Sequence, residues 1–254
     1  MKNSIEAIIK DYVRDYHKIK KIETKWKEPL VSFADAEDSL FYRLKEVVGP
    51  NHLMPQDLME EAKSIIAYFL PFEDYIPNSN IEGKYSSRTW AVAYVETNEL
   101  ISDLNSHVQN EIGKLGYKSE LIPATRNYDT NTLISNWSHR HVAYIAGLGK
   151  FGLNNMLITR NGCCGRIGTI VTNLEIEPTS RVDTEYCLYK YDKSCKKCVD
   201  KCVNNALTEE AFNRHKCREM CIINGETYKS LGSSDVCGKC LVGLPCSSRN
   251  PVEI

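Results

Sequence analysis

Eleven cysteines are spread unevenly along this 254-residue chain, and nine of them fall after residue 186. In that stretch glycine, lysine and cysteine replace apolar periodicity, which fits a small module cross-linked from inside rather than one built on a large hydrophobic core. The N-terminus interrupts its apolar residues with Lys2, Glu6, Lys10, Asp11, Arg14 and Asp15, unlike the unbroken apolar core of a signal peptide. No later run approaches the ~18 consecutive apolar residues of a membrane span. The expectation is a cytoplasmic chain with no membrane partner. In a reducing compartment structural disulfides seldom persist, and clustered thiolates more often hold metal.

The cysteines form an upstream set, Cys187, Cys195, Cys198 and Cys202, and a downstream set, Cys217, Cys237, Cys240 and Cys246. Cys195, Cys198 and Cys202 carry the two-residue and three-residue spacings of a bacterial ferredoxin motif. A cubane corner needs a thiolate on each iron. A two-residue loop lets two ligands reach adjacent corners, while the cysteine after three residues points away and serves the neighbouring cluster. By this logic Cys187, Cys195, Cys198 and Cys246 hold one 4Fe–4S cluster, and Cys202, Cys217, Cys237 and Cys240 hold the other.

The pattern departs from the usual ferredoxin: seven residues separate Cys187 from Cys195, Val203 follows Cys202 where proline is usual, and five residues separate Cys240 from Cys246. Cys221 competes with Cys217, because four residues along a helix put both sulfurs on one face. Structural zinc also uses Cys-x₂-Cys pairs, but tetrahedral zinc sites do not call for the trailing cysteine. Cys163 and Cys164 stand apart in sequence and read as buried structural thiols, with a site-lining role as the alternative.

Ahead of the cysteines the chain reads as alternating helix and strand. Helical spacing marks residues 1–17 and 34–48, Pro55 opens a short helix, and Ser64 to Phe72 is compact and apolar like a buried strand. Ser86 to Leu115 predicts a long helix closed by Gly116, and Tyr117 to Pro123 a short strand. Leu157 to Arg160 and Gly168 to Leu174 predict two strands joined by a turn at Asn161-Gly162. A domain boundary falls near Pro178. With 32 basic and 33 acidic side chains, charge gives no support to direct nucleic-acid binding.

Ala146-Gly147-Leu148-Gly149, followed by Gly152, Asn154, Leu157 and Ile158 and then by the cysteine tail, resembles epoxyqueuosine reductase and its shorter relatives over roughly residues 120 to 250. Reductive dehalogenases share that arrangement. The resemblance implies a nitroreductase-like mixed sheet with flanking helices over residues 1–178, binding cobalamin. It also implies a small ferredoxin-like module over 179–254 with two 4Fe–4S clusters. An external ferredoxin or flavodoxin would supply electrons, and the substrate would be a small molecule or modified nucleoside.

The Gly147 to Asn154 loop would approach the cofactor, although glycines 147, 149 and 152 also suit a packing turn. Because the string follows a predicted helix rather than a strand, nicotinamide binding is discounted. Asp129-Thr130 looks like the family's proton-donor pair. A buried carboxyl group there would protonate an alkoxide, but capping of a helix near Thr132 explains Asp129 equally. His139 and His141 would diverge on a helix and share a face if extended. Either is a candidate for contact with the corrinoid or substrate. Arg166 is a candidate partner for a cofactor phosphate or carboxylate.

Two further readings stay open. One is an electron carrier without its own substrate, docking an acidic partner through Lys190, Lys193, Lys196, Lys197 and Lys201. The other is flavin, bound in nitroreductase fashion by the globular domain.

Overall fold

The computed structural model describes residues 1–124 and 128–252. Its first half runs α1 (Lys2–Ile19), β1 (Leu30–Asp35), α2 (Leu40–Val47), α3 (Pro55–Leu58), β2 (Ser64–Pro71), α4 (Tyr75–Ser79), α5 (Arg88–Lys114) and β3 (Ser119–Leu121). There follow α6 (His139–Ile145), β4 (Gly149–Phe151), β5 (Leu157–Thr159), β6 (Gly165–Thr172), α7 (Leu188–Asp192), α8 (Lys197–Asp200) and α9 (Arg214–Thr227).

Four strands form one sheet in the order β1-β2-β6-β3, and every neighbouring pair is antiparallel. The expected mixed sheet is therefore corrected: helix and strand alternate in sequence, but no parallel crossover joins the described strands. All eight residues of β2 are buried because helices cover both faces. Ile66, Tyr68 and Leu70 face α1 and α5, packing with Ile5, Ile9, Leu100 and Leu104. Their alternates Ile65, Ala67 and Phe69 face α2 and α6, packing with Phe41, Leu44, Val142 and Ile145. Each fully buried Ile, Leu or Phe contributes about 1.5–3 kcal/mol by apolar burial.

Several expectations match the elements: α1, α3, β2, α5 and β3 lie where periodicity puts them. Ser87 caps α5 by accepting from the Trp90 N–H at 3.1 Å, and Gly116 takes φ +86° beyond its end. Two expectations fail. The helix of 34–48 is shorter, because Ala34 belongs to β1, which periodicity alone did not separate from α2. The hairpin across Asn161-Gly162 does not form: the turn exists, with Gly162 at φ +78°, but β5 pairs with β4 while β6 joins the large sheet.

Near residue 178 the chain stays tied to the sheet, since Thr179 exchanges hydrogen bonds with the Phe33 backbone at 2.9 and 3.1 Å. The cysteine tail then packs on the sheet domain through a cluster that joins Phe72, Trp90, Ile158, Cys163 and Cys164 to Tyr186, Cys187, Leu241 and Val242.

Candidate metal centre and adjoining cleft

Chain order scatters the tail cysteines over α8, α9 and the loops around them, and folding gathers them into two groups. Cys187 precedes α7, Cys198 lies in α8, and Cys195 lies between them; with Cys246 they line one narrow cavity, walled by Leu153, Ile158, Leu188, Leu244 and Pro245. Cys202, Cys217, Cys221, Cys237 and Cys240 line a second, wider one. Among the described residues no three His, Cys, Asp or Glu side chains converge as a single metal ion requires. The sulfurs surround volumes instead of points.

Burial makes some of these thiols hard to ionise unaided. Burial, with thiolate repulsion from Cys246, Cys187 and Cys195, pushes Cys198 up to about 12. Burial and the charges of Cys217, Cys237 and Cys202 raise Cys240 in the same way. In the second group, the thiols of Cys217 and Cys221 lie one helical turn apart and hydrogen-bond to each other. The Cys221 hydrogen bond brings Cys217 down to about 7, with help from Arg140 and against burial. Five sulfurs thus stand where a cubane takes four, and both candidates named from the sequence face the same cavity.

The loop Cys237-Gly238-Lys239-Cys240 is fixed to the sheet domain. Asn80 donates to the Cys237 carbonyl at 2.9 Å, and Asn154 donates to the Cys240 carbonyl at 3.0 Å. Gly238 adopts φ +74° and lies flat against Trp90, where a Cβ would come within 2.4 Å of the indole ring. Downstream, the Cys163 N–H donates to the Cys246 and Ser247 carbonyls at 3.0 and 3.1 Å, and its thiol donates to the Leu241 carbonyl at 3.9 Å. Cys163 is thus isolated in sequence but not in space.

Beside the sulfur groups a cleft of ≈ 900 Å³ opens between α2, α6 and β4 on one side and residues 207–214 on the other. Arg140, Tyr128, Leu133, Leu207, Phe212 and Arg214 line both this cleft and the second sulfur cavity. Gly152 and Leu153 line the cleft and the first. The volume lies in the range of cofactor sites.

The two histidines diverge, as α6 requires. His139 spends both nitrogens on the fold: Nε2–H donates to the Pro123 carbonyl at 2.9 Å, so Nδ1 accepts from the Thr169 hydroxyl at 2.8 Å. That hydroxyl in turn accepts from Trp137 Nε1 at 3.0 Å. Burial brings His139 down to about 4, so it is neutral and occupied. His141 instead lines the cleft, with Nδ1 on the Ser138 hydroxyl at 2.8 Å and its ring 4.7 Å from that of Phe151. Burial first, then Arg140, holds it at about 4 as well.

Asp129 is exposed. Its Oδ1 accepts from the N–H groups of Asn131 and Thr132 at 3.0 and 2.7 Å and from the Thr132 hydroxyl at 2.9 Å. Those bonds lower its pKa below the usual carboxylate value. It lines a neighbouring cavity of ≈ 950 Å³ that shares Tyr128, Ile134 and Ser135 with the cleft. Arg166 is not among the cleft residues; its guanidinium donates to Asn98 at 2.7 Å and stacks 4.4 Å from the Tyr94 ring. The glycines serve packing. Cβ atoms at Gly147 and Gly149 would strike the Ser180 and Ile158 carbonyls, and one at Gly152 the Asn154 side chain. Sequence reasoning missed Arg140 and Lys239: neither carries a motif, and only the fold places their charges beside sulfur.

No family model matches the chain. A tetrachloroethene reductive dehalogenase of Desulfitobacterium hafniense is 29% identical over 191 residues, covering 73% of this chain and 32% of that protein. The chain thus spans about a third of the length of the curated relatives it matches. Among solved structures, epoxyqueuosine reductase from Streptococcus thermophilus superposes with a TM-score of 0.57 at 22% identity, over 97% of this chain and 68% of that one. The Bacillus subtilis enzyme, solved with its catalytic aspartate loop swung out of the active site, gives 0.59 at 18%, over 98% and 68%. A catabolic reductive dehalogenase in complex with 3-bromo-4-hydroxybenzoic acid gives 0.58 at 15%, over 88% and 30%.

The chain therefore has the mixed α/β fold on which these reductases are built. Its sequence is similar to that of reductive dehalogenases and its fold to that of epoxyqueuosine reductases, as its loop and cysteine pattern indicated.

Proposed function

We propose that this chain is an iron–sulfur reductase that holds two 4Fe–4S clusters and houses a corrinoid and its substrate in the adjoining cleft. The observation that carries the reading is the interleaving of the sulfurs: Cys246, from the downstream stretch, joins Cys187, Cys195 and Cys198, while Cys202, from the upstream stretch, joins Cys237 and Cys240. The donor set fits an iron–sulfur core. Cys198 and Cys240, which burial and neighbouring thiolates hold protonated, need a polycationic partner to ionise.

When bound, the clusters supply one-electron transfer and the corrinoid a strongly reducing cobalt centre. Cys187, Cys195, Cys198 and Cys246 would hold the first cluster. Cys202, Cys237 and Cys240, with Cys217 or Cys221, would hold the second. Asn154 fixes the Cys240 backbone from beneath the glycine loop. Arg140, His141 and Phe151 present a cation, a neutral imidazole and an apolar ring to the cleft. His141 is the histidine available for contact with a cofactor or substrate.

Asp129 serves as the proton donor in this reading only when its turn carries it toward the cleft; the displaced catalytic loop of the Bacillus subtilis structure supports such a movement. One solved epoxyqueuosine reductase is bound to a modified tRNA stem loop, which supports a modified nucleoside as substrate, but the net charge of −1 offers no basic surface for the rest of an RNA. Exposed Lys190, Lys193, Lys196 and Lys197 border the first sulfur group and suit docking of an acidic ferredoxin or flavodoxin. Residues 1–178 and 179–254 act as cofactor domain and cluster module in this scheme. No helix among the described residues is long and apolar enough to cross a membrane.

The test is anaerobic purification from cells supplied with cobalamin, with iron, sulfide, cobalt and flavin assayed. About eight irons with stoichiometric cobalt are expected. Eight irons without cobalt or flavin would point to the electron carrier, and two zincs with no iron would remove the reading.

A further inference from the structure

Four cationic side chains line the second sulfur cavity; Arg214 is exposed and Arg218 is paired with Asp235, which leaves Lys239 and Arg140. Lys239 lies between two of its cysteines and is only 2% exposed. Its Nζ donates to the Asn80 and Glu82 carbonyls at 2.8 and 2.7 Å. Arg140 enters from α6 on the cleft side, donating to the Asn155 carbonyl and, at 3.4 Å, to Met156 Sδ. Among the described residues neither forms an ion pair with a carboxylate.

A buried cation held only by neutral acceptors is costly unless an anion lies close by. The group these two cations share is the second sulfur set. Cys237 and Cys240 bracket Lys239 in sequence, and Arg140 lines the same cavity as Cys217 and Cys240. Around the first set the arrangement is different. Its cavity is walled by apolar side chains, and the lysines nearest to it in sequence, Lys190, Lys193, Lys196 and Lys197, are exposed to water.

We infer that Lys239, assisted by Arg140, raises the electron affinity of the second sulfur site above that of the first, so that the second site, which shares more of its lining with the cleft, is the more readily reduced. The inference rests on the two-cluster reading above and deepens it. Reduction of either site takes one electron from an external one-electron reductant, which is itself oxidised by one; no bond breaks and no proton moves. A fixed positive charge in a low-dielectric surround stabilises the added negative charge, whereas screened surface lysines do so far less. Net charge and solvent exposure are among the levers that set cluster potentials.

The experiment is a dithionite titration of the anaerobically isolated, iron-loaded protein, followed by electron paramagnetic resonance, which should resolve two one-electron waves. Lys239→Gln keeps an amide donor for the Asn80 and Glu82 carbonyls and removes the charge. It is expected to weaken electron affinity at the higher wave about tenfold, a 59 mV drop for one electron. The lower wave should stay in place with iron unchanged, and Lys239→Arg should restore the higher one. A merely structural lysine would not move a potential at constant iron content.

Coincident waves in the unmodified protein, or Lys239→Gln with full iron and both waves unmoved, overturn the inference. Should Lys239→Gln lose iron, Arg140→Gln carries the same test: the same wave must fall, and its constancy overturns the idea. Unmodified protein that holds no iron removes the cluster reading itself, a separate failure.

Discussion

The sheet domain and the cysteine tail are stabilised by different physics. In the sheet domain every residue of β2 is buried and apolar clusters cover both faces. In the tail, α7 buries none of its residues and α9 buries only Met220 and Asn224, leaving Ile222 and Ile223 exposed. A tail so poor in apolar contact still brings nine cysteines into two groups. The first region specifies its fold by burial. The second has its ligands positioned but needs cross-links to keep them there, as small metal modules do.

The sharpest way to break that contrast is to remove the iron. Chelation of the reconstituted protein under mild oxidation should expose residues 187–252 to proteases while residues 1–176 stay protected, read by limited proteolysis with mass spectrometry. A tail that stays protected without iron would show that packing alone holds it. The converse change is Ile66→Ala, in a fully buried position facing α1 and α5. It should cost ~2–5 kcal/mol in denaturant unfolding, the usual range for a core truncation, while iron per folded chain stays constant.

The same contrast explains what was legible in the sequence. Long periodic segments such as α1 and α5, and the unbroken apolar run of β2, declare themselves because burial writes its period into residue choice. The sulfur grouping was legible because ligand spacing follows cluster geometry. What escaped were contacts between segments distant in the chain: the pairing of β6 with β2 instead of β5, the approach of Cys163 to Cys246, and the lysine and arginine charges beside Cys240. The histidines show the limit most directly. Spacing said that His139 and His141 diverge on a helix, yet only the fold shows that Thr169 and Pro123 take up the first and leave the second facing the cleft.

That histidine makes the next prediction. Burial holds both His139 and His141 at about 4, against an ordinary value of 6.5. Between those values the unfolded chain binds protons that the folded chain does not, so stability rises with pH. It is complete above pH 6.5 and is lost as pH falls toward 4. Melting temperatures across that window should slope less in His139→Gln than in the unmodified protein, with the remaining slope due to His141, His52 and paired glutamates such as Glu28 and Glu111. An unchanged slope would mean that His139 titrates normally. The tail takes no part in this effect, so iron content should be the same in both proteins.

The smallest expected stability effect falls at Asp129, in the cavity beside the cleft. Its carboxylate holds the turn through three donors and is lowered by them, so its contribution is present above the ordinary carboxylate pKa and lost as pH falls below it. Asp129→Asn retains a side-chain carbonyl in the same place, and asparagine suits such turns as well as aspartate does. The melting temperature should therefore barely move, whereas Asp129→Ala, with no acceptor, should lower it slightly. Reduction of substrate by the fully loaded protein separates the two roles. If Asp129 acts only on the turn, Asp129→Asn keeps its turnover; if the turn delivers it to the cleft as an acid, Asp129→Asn loses turnover at unchanged stability and iron content. The proposed reductase requires the second outcome, because an amide fills the turn but has no proton to give an alkoxide.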